Sequence, residues 1–209
     1  MTEVITEVRR KGGCATVVFE SGKTMRVPHA LYMLNKLRQG QEIDPEKYEL
    51  WRSGVEFSLA LERAAAFLQT RERASGEIRS CLARCGYRDD VIEKVILTLT
   101  ENRFVSDARF AGLWVDARAQ KLGRGRIRQE LRMKGVNEEA VRQALDGFTE
   151  EDETEQARIR AEKLMRRETD DKKVLNALIR RGYSFSVARR AIEGARKAQN
   201  GEAEEYEED

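Results

Sequence analysis

The sequence contains few of the residues from which enzyme and metal sites are built. Its 209 residues include one histidine, His29, and three cysteines, Cys14, Cys81 and Cys85. A single histidine leaves no histidine partner for acid–base chemistry, and His29 lies in VPHALYML at the predicted start of a helix, where a structural role is expected. No Walker-type glycine-rich loop, metalloprotease helix motif or nucleophile elbow occurs. We therefore predict that the protein is not an enzyme and holds no cofactor.

The cysteines and apolar residues exclude further classes of protein. Three unevenly spaced cysteines cannot form a disulfide framework, which favours the reducing cytoplasm. Cys81 and Cys85 lie four residues apart on one helical face and could bind a metal, but no third or fourth ligand lies near in sequence. We interpret them as buried or half-buried side chains. No apolar run approaches the roughly 20 residues that span a bilayer, and the N-terminus lacks a signal-peptide apolar segment, so no membrane contact is expected.

Proline is also scarce, since only Pro28 and Pro45 occur. Before Pro28 the β-branched residues cluster in VITEV, CATVVFE and TMRV, separated by the turn-forming segments RRKGG and SGK, which predicts a three-stranded β meander. A short helix should follow, from about residue 28 to 38, with Gly40 as its C-cap. Asp44 and Pro45 should begin the next helix. Because no proline follows Pro45, the rest of the chain is predicted to be helix and turn.

Internal self-similarity is the strongest signal in the chain. The segments EIRSCLARCGYRDDVIEKVI, RIRQELRMKGVNEEAVRQAL and KVLNALIRRGYSFSVARRAI align without a gap on Gly86, Gly135 and Gly182, which lie 49 and 47 residues apart. We predict that each glycine ends a helix in the left-handed conformation, and that the apolar residues eight and four positions before it and one after it form a core. These residues are Ile78, Leu82 and Tyr87, then Ile127, Leu131 and Val136, then Val174, Leu178 and Tyr183.

Two further helices complete each predicted repeat. The upstream helices are LERAAAFLQT, ARFAGLWVDARA and EQARIRAEKLMRR, the last with Thr149 as a plausible N-cap. The downstream helices have apolar faces at Val91, Val95 and Ile96, at Val141, Ala144 and Leu145, and at Ala188, Ala191 and Ile192. The fold class is therefore mainly α, with three tandem three-helix repeats after a small N-terminal β meander. The predicted domains are residues 1–50 (meander and short helix), 51–107, 108–149 and 150–198 (the three repeats), and 199–209 (an acidic disordered tail).

The charges divide into a basic body and an acidic end. The net charge is +2, but the final segment EAEEYEED contains six acidic residues and no basic one, so the remainder carries +8. Such a body favours polyanions, whereas the alternative is that both sets of charges only improve solubility. We further hypothesise that the tail competes with phosphates for the basic surface.

The middle repeat and the segment before it resemble one family. GRGRIRQELRMKGV, ENRFVSDARFAGLWV and the three-repeat periodicity are similar to the RecX regulatory proteins, modulators of the RecA recombinase. The resemblance covers residues 59–197, and RQGQEIDPE is similar to an extension of some members, whereas the acidic tail has no counterpart. The resemblance implies an elongated, curved array that binds RecA and its filament on single-stranded DNA. It also implies inhibition of filament growth, ATP hydrolysis, strand exchange and coprotease activity.

Basic residues of the repeat helices are the candidate contacts with this partner or with DNA. The alternative is a solvated face with intrahelical ion pairs, for which Arg126 with Glu130, or Glu139 with Arg142, have suitable spacing. Each contact with a phosphate of a single strand would add about −0.7 to the logarithmic salt slope. The candidates are Arg79, Arg84, Arg124, Arg126, Arg128, Arg132, Lys134, Arg180, Arg181, Arg189 and Arg190.

Aromatic residues and competing functions leave further alternatives. Phe104, Phe110 and Trp114 could stack on bases, but core packing is the favoured interpretation.

The alternative function is a direct DNA-binding helical protein that acts without RecA, although DVIEKVILTL and EEAVRQAL offer few base-reading side chains. A scaffold with an unrelated protein partner is a third possibility. We expect a monomer with weak DNA affinity of its own.

Overall fold

The computed structural model describes the backbone of residues 2–168 and 170–205, and side chains as far as residue 198. As predicted, it is mainly helical with a small N-terminal antiparallel sheet. The chain divides after Ser106 into two compact units, called unit 1 and unit 2 below.

The sheet of unit 1 contains the predicted meander and one additional strand. Strands β1 (Glu3–Lys11), β2 (Cys14–Phe19) and β3 (Thr24–Pro28) pair antiparallel in chain order. A two-residue strand, β4 (Glu42–Ile43), pairs with the start of β1, giving the order β3-β2-β1-β4. Two residues are too few to show the alternation that identifies a strand in sequence, so β4 was not predicted.

The first helix, α1 (His29–Leu34), is shorter than predicted and ends at Asn35. The chain then buries Leu37 in the core beneath the sheet. Gly40 has a φ of 79°, but it lies in the turn before β4, where its N–H donates to the Ile5 carbonyl over 2.8 Å. The prediction that Gly40 caps this helix is wrong, because pairing with β1 determines its conformation.

Helix α2 (Pro45–Leu68) begins as predicted, because Asp44 accepts hydrogen bonds from two backbone N–H groups at 3.1 and 3.3 Å. Its first half packs Tyr48 into the core of the sheet, and its second half packs Ala60 and Ala64 into the core of the first repeat. The predicted boundary after residue 50 therefore falls inside one continuous helix.

The remaining helices follow the predicted three-repeat pattern. The last helix continues through Glu205, whereas we predicted the acidic disordered tail to begin at residue 199; residues 206–209 of that tail lie outside the described residues. The first repeat combines α2 with α3 (Ser75–Arg84) and α4 (Asp89–Glu101). Unit 2 contains α5 (Asp107–Arg118), α6 (Arg124–Met133) and α7 (Glu138–Asp146), then α8 (Glu150–Met165), α9 (Asp171–Arg180) and α10 (Phe185–Glu205).

The three repeat glycines end their helices as predicted. Gly86, Gly135 and Gly182 have φ values of 86°, 71° and 90°. The residue after each glycine donates its N–H to the carbonyl five residues earlier, over 3.3, 3.2 and 3.3 Å, which is the Schellman pattern. All nine core residues predicted around these caps are buried. The residues of the predicted downstream faces are also buried, except Ala144, which is half-buried. Thr149 caps α8 as predicted.

Candidate functional site

The GRGR segment at the start of α6 connects the second and third repeats inside unit 2. The N–H groups of Gly123 and Gly125 donate to the carbonyls of Arg181 and Gly182 over 3.0 and 3.1 Å. Between them, the N–H of Arg124 donates to the buried Glu153 carboxylate over 2.8 Å. These donors, which in a phosphate-binding loop would face the ligand, are therefore used within the protein.

Glycine is required at this connection because the two backbones almost touch. A Cβ on Gly123 would lie 2.4 Å from the Tyr183 nitrogen, and one on Gly182 would lie 2.3 Å from the Arg126 nitrogen. Both distances are far below a van der Waals contact, so any side chain would separate α6 from the cap of α9. The glycines of this motif have a packing role that the sequence did not reveal.

The buried Glu153 contributes to the same connection. Burial raises its pKa above 4.5, while the hydrogen bond and charge of Arg124 oppose this shift. Arg124 was a candidate contact with a partner. Its side chain is instead half-buried, and its guanidinium donates to the Leu145 carbonyl over 3.1 Å. Arg181 is also partly buried and donates to the Ala177 carbonyl over 3.0 Å. Both arginines therefore stabilise unit 2 in addition to any contact with a partner.

Five of the predicted arginines form ion pairs at the surface, as the solvated-face alternative suggested. The pairs within one helix have the spacing noted in the sequence, and the others connect neighbouring helices. In the pairs of Arg79 and Arg132, the guanidinium lowers the pKa of the facing glutamate, chiefly by hydrogen bonding. The pairs are Arg79–Glu93 (2.7 Å), Arg126–Glu130 (3.6 Å), Arg132–Glu138 (2.6 Å), Arg189–Glu193 (2.9 Å) and Arg190–Glu150.

Three predicted arginines have no such partner. Arg84, Arg128 and Arg180 are exposed and form no ion pair or side-chain hydrogen bond within the described part of the chain. Each repeat contributes one of them, on α3, α6 and α9 respectively. Arg84 and Arg180 also occupy the same position of their repeats, two residues before the cap glycine. These three cations remain available to a ligand.

Trp114 forms an aromatic and cationic cluster with its neighbours on α5 and α6. Its ring stacks on buried Phe110 with a centroid separation of 5.7 Å, and its indole nitrogen donates to Glu130 over 3.1 Å. Lys134 and Arg118 lie over the ring at 4.3 and 4.6 Å from its centroid. Trp114 is half-buried, so Lys134 covers an aromatic side chain rather than extending into solvent.

The aromatic predictions therefore have different outcomes. Phe110 packs in the core as predicted, and Tyr87 and Tyr183 are buried beneath their caps. Phe104 does not, because 65% of it is exposed. It follows a residue with a φ of 61°, Arg103, at the turn after α4, and the next residue, Val105, is the one that packs into the core of the first repeat.

A buried ionic network in unit 1 was not predicted. Arg52 and Glu56 are 3% and 0% exposed, and two hydrogen bonds of 2.9 and 2.7 Å join them. Arg52 also donates to the carbonyls of Arg26 and Gly86, while Arg88 donates to Glu56 over 2.8 Å. The network thereby joins β3, α2 and the first cap. Its i, i+4 spacing is typical of exposed helix faces, so the sequence offers no signal of burial.

The cysteines agree with their interpretation as packing residues. Cys81 is buried, and Cys14 and Cys85 are half-buried. Within the described residues no group of three or more potential ligands could hold a metal ion. Among the helices of the described chain, none combines the length and the apolar character needed to cross a bilayer.

Comparison with known proteins gives a consistent set of similarities. Residues 60–99 match the family model described as RecX, first three-helix domain, and residues 106–145 match RecX, second three-helix domain. The regulatory protein RecX of Mycolicibacterium smegmatis is 36% identical over 133 residues, which cover 58% of this chain and 71% of that protein. The regulatory protein RecX of Bacillus subtilis is 30% identical over 169 residues, covering 76% of this chain.

The matched lengths and solved structures define how far these similarities extend. The chain spans 63% of the length of the Bacillus subtilis and Bacillus licheniformis relatives. A crystal structure of a regulatory protein RecX is 25% identical, with a TM-score of 0.60 over 88% of this chain and 96% of that one. The crystal structure of RecX from Lactobacillus salivarius, at 22% identity and a TM-score of 0.63 over 68% of this chain and 97% of that one, shares the fold.

Proposed function

Because the chain belongs to the RecX family of regulatory proteins, we propose that it regulates the RecA recombinase. It binds RecA and the RecA filament on single-stranded DNA, and thereby inhibits filament growth, ATP hydrolysis, strand exchange and coprotease activity. It acts as a monomer without catalysis, and its direct affinity for DNA is weak.

The exposed arginines, one in each repeat, carry this proposal. Arg84, Arg128 and Arg180 are exposed charged groups that form no ion pair or side-chain hydrogen bond within the described residues, and each lies on the middle helix of its own repeat. The DNA strand in such a filament is a repeating polyanion. One exposed cation in each repeat suits such a partner better than a single compact ligand.

The ion-paired arginines form a second group of contacts. Arg79 and Arg132 bind their glutamates in the bidentate geometry that guanidinium groups also use for phosphates. Exposed ion pairs add little to stability, so exchanging a glutamate for a phosphate costs little. These arginines can therefore strengthen binding without leaving an unpaired charge in the free protein.

Charge at the helix N-termini argues against sequence-specific DNA binding. In a helix-turn-helix protein the N-terminal residues of the recognition helix enter the major groove. The corresponding helices here begin with Asp89 and Asp90 in α4 and with Glu138 and Glu139 in α7. These carboxylates would face phosphates at close range, so direct DNA binding is the less favoured function.

The decisive experiment measures the single-stranded-DNA-dependent ATPase of RecA while this protein and the DNA are varied independently. Inhibition well below one copy per recombinase, unchanged by additional DNA, is expected. Inhibition that disappears as DNA is added would show that the protein only sequesters the strand, which would refute control of the filament.

A variant with Arg84, Arg128 and Arg180 changed to alanine tests the carrying observation. We expect the concentration needed for half inhibition to rise about tenfold or more, the effect of about 1.4 kcal/mol from three exposed charge contacts. The matched control changes Arg9, Arg142 and Arg158 to alanine, because these arginines have carboxylate partners within their own elements. Equal losses in both variants would contradict the proposal, since only net charge would then matter.

A further inference from the structure

Two rows of side chains face each other on α5 and α6 of unit 2, and each row has the four-residue spacing that places its members on one side of a helix. The rows are Phe110, Trp114 and Arg118 on α5, and Arg126, Glu130 and Lys134 on α6 and its C-cap. Lys134 lies over the Trp114 ring, and Arg118 pairs with Glu130 over 3.6 Å, so the two rows are in contact. An aromatic ring therefore lies among cationic side chains on one face of unit 2.

Neighbouring side chains hold the Trp114 ring in one orientation. The ring lies against buried Phe110 at an interplanar angle of 17°, and its indole N–H donates to Glu130 over 3.1 Å. Glu130 in turn pairs with Arg118 and Arg126, both over 3.6 Å. The ring is thus fixed before any ligand arrives, and a ligand that stacks on it does not have to order the side chain first.

The cations that cover the ring can move aside. The Lys134 ammonium and the Arg118 guanidinium lie 4.3 and 4.6 Å from the centroid of Trp114, and each is carried on a flexible stem. All three residues are half-buried, so these contacts can be reached from solvent. At an accessible site the contact of a cation with an aromatic ring is weaker than the stacking of a base on that ring. A base can therefore replace the cations.

Charge indicates the class of ligand. Residues 124–134 include five basic side chains and one acidic one, so this helix attracts a chain of phosphates. An acidic protein segment would pair with the same cations, but its carboxylates would leave the face of Trp114 without a stacking partner. Single-stranded DNA satisfies both parts of the surface, because it carries phosphates and presents unpaired bases.

We propose that Trp114 is a base-stacking site for single-stranded DNA, and that Lys134 and Arg118 contact the phosphates beside the stacked base. Stacking uses the flat face of the base and no particular hydrogen bond, so the site does not select a sequence. The inference rests on the direct DNA affinity that the proposed function includes. Its tests contain no RecA, whereas control of the filament is measured by the RecA ATPase, so either can fail while the other holds.

The first test compares the affinities of the full chain for an oligothymidylate and for an abasic strand of the same length, measured by fluorescence anisotropy. The abasic strand keeps the phosphates and lacks the bases, so its affinity reports on charge alone. We expect the oligothymidylate to bind about tenfold more tightly, the effect of one stacked base. Equal affinities for the two strands would overturn the proposal.

A variant assigns this preference to the ring. Trp114→Leu keeps an apolar side chain beside Phe110 and should bind both strands with equal affinity. The control Trp51→Phe changes the tryptophan of unit 1 and should keep the tenfold preference. If Trp114→Leu retains the preference, the stacked base lies elsewhere and the assignment is wrong.

A second readout leaves the site unaltered, so it does not depend on how well Trp114→Leu folds. Trp51→Phe leaves Trp114 as the remaining tryptophan, and a stacked base should quench its fluorescence. We expect quenching by the oligothymidylate and none by the abasic strand. The same change with both strands, or no change with either, would refute stacking on Trp114.

The phosphate contact is tested with Lys134→Gln. We expect the logarithmic salt slope of binding to become shallower by about 0.7 for both strands, as for the loss of one phosphate contact. Lys36→Gln removes an exposed lysine of unit 1 and should keep the slope of the parent protein. An unchanged slope in Lys134→Gln would contradict the role given to this lysine.

Discussion

The close contact between Gly182 and the backbone of Arg126 permits a quantitative prediction. Gly182→Ala introduces a Cβ at a residue with a φ of 90°, and this atom would lie 2.3 Å from the Arg126 nitrogen. Gly135 is the matched position, because it has the same role in its own repeat, a φ of 71° and an exposed location. Comparison of the two alanine variants separates backbone strain from steric overlap.

The expected magnitudes follow from these two contributions. Alanine at positive φ costs about 1 kcal/mol, and this is the whole expected effect of Gly135→Ala. Overlap that forces two backbones apart adds about 1–3 kcal/mol at Gly182. We therefore expect Gly182→Ala to lower the free energy of unfolding of unit 2 by about 2–4 kcal/mol.

The two tryptophans allow each unit to be followed by itself. Trp51 lies in unit 1 and Trp114 in unit 2, so urea unfolding of proteins that also carry Trp51→Phe reports on unit 2 through Trp114 fluorescence. The midpoints and slopes of the two glycine variants give the comparison. If Gly182→Ala proves no less stable than Gly135→Ala, the connection between α6 and the third cap is not tightly packed, and the reasoning fails.

Three further predictions follow from buried and terminal charges. Glu56→Ala should destabilise unit 1 by about 3–5 kcal/mol, because the buried Arg52 loses its two hydrogen bonds to Glu56 and keeps only the Glu49 carboxylate at 3.4 Å, and Trp51 fluorescence in urea should detect this change. Burial raises the pKa of Glu153 above 4.5, so the folded chain retains a proton that the unfolded chain releases, and stability falls as pH rises above 4.5. Glu153→Gln should therefore gain stability relative to the parent protein across that pH range, and equal pH profiles would contradict this. Deletion of residues 202–209 should raise affinity for single-stranded DNA at low salt, measured by fluorescence anisotropy, whereas unchanged affinity would leave the tail a solubilising role.

The sequence predicted features that depend on local chemistry. The cap glycines and the apolar residues around them recur within a few positions of each other, and one helical turn is sufficient to relate them. For the same reason Asp44 and Thr149 could be identified as N-caps. The helix count and the three cores follow directly from these local signals.

The sequence did not predict features that require knowledge of a distant neighbour. Arg124 resembled its exposed neighbours in sequence, yet Glu153 and Leu145, which bind it, lie 29 and 21 residues away. Likewise, Arg52 and Glu56 are buried only because β3 and the first cap cover them. Charge in a sequence indicates neither burial nor pairing, so only part of the predicted basic surface proved to be unpaired.

The helix caps limit how freely the repeats could be exchanged or duplicated. The absence of a side chain at Gly86 allows β2 to approach through Cys14, whereas the same absence at Gly182 allows α6 to approach through Arg126. Each cap is thus shaped for a different neighbour, although the local motif is the same. A chimaera that moved the third repeat into the first position would retain its own helices, but it would lack the segment that fits against its cap. The repeats are alike in construction and specific in position.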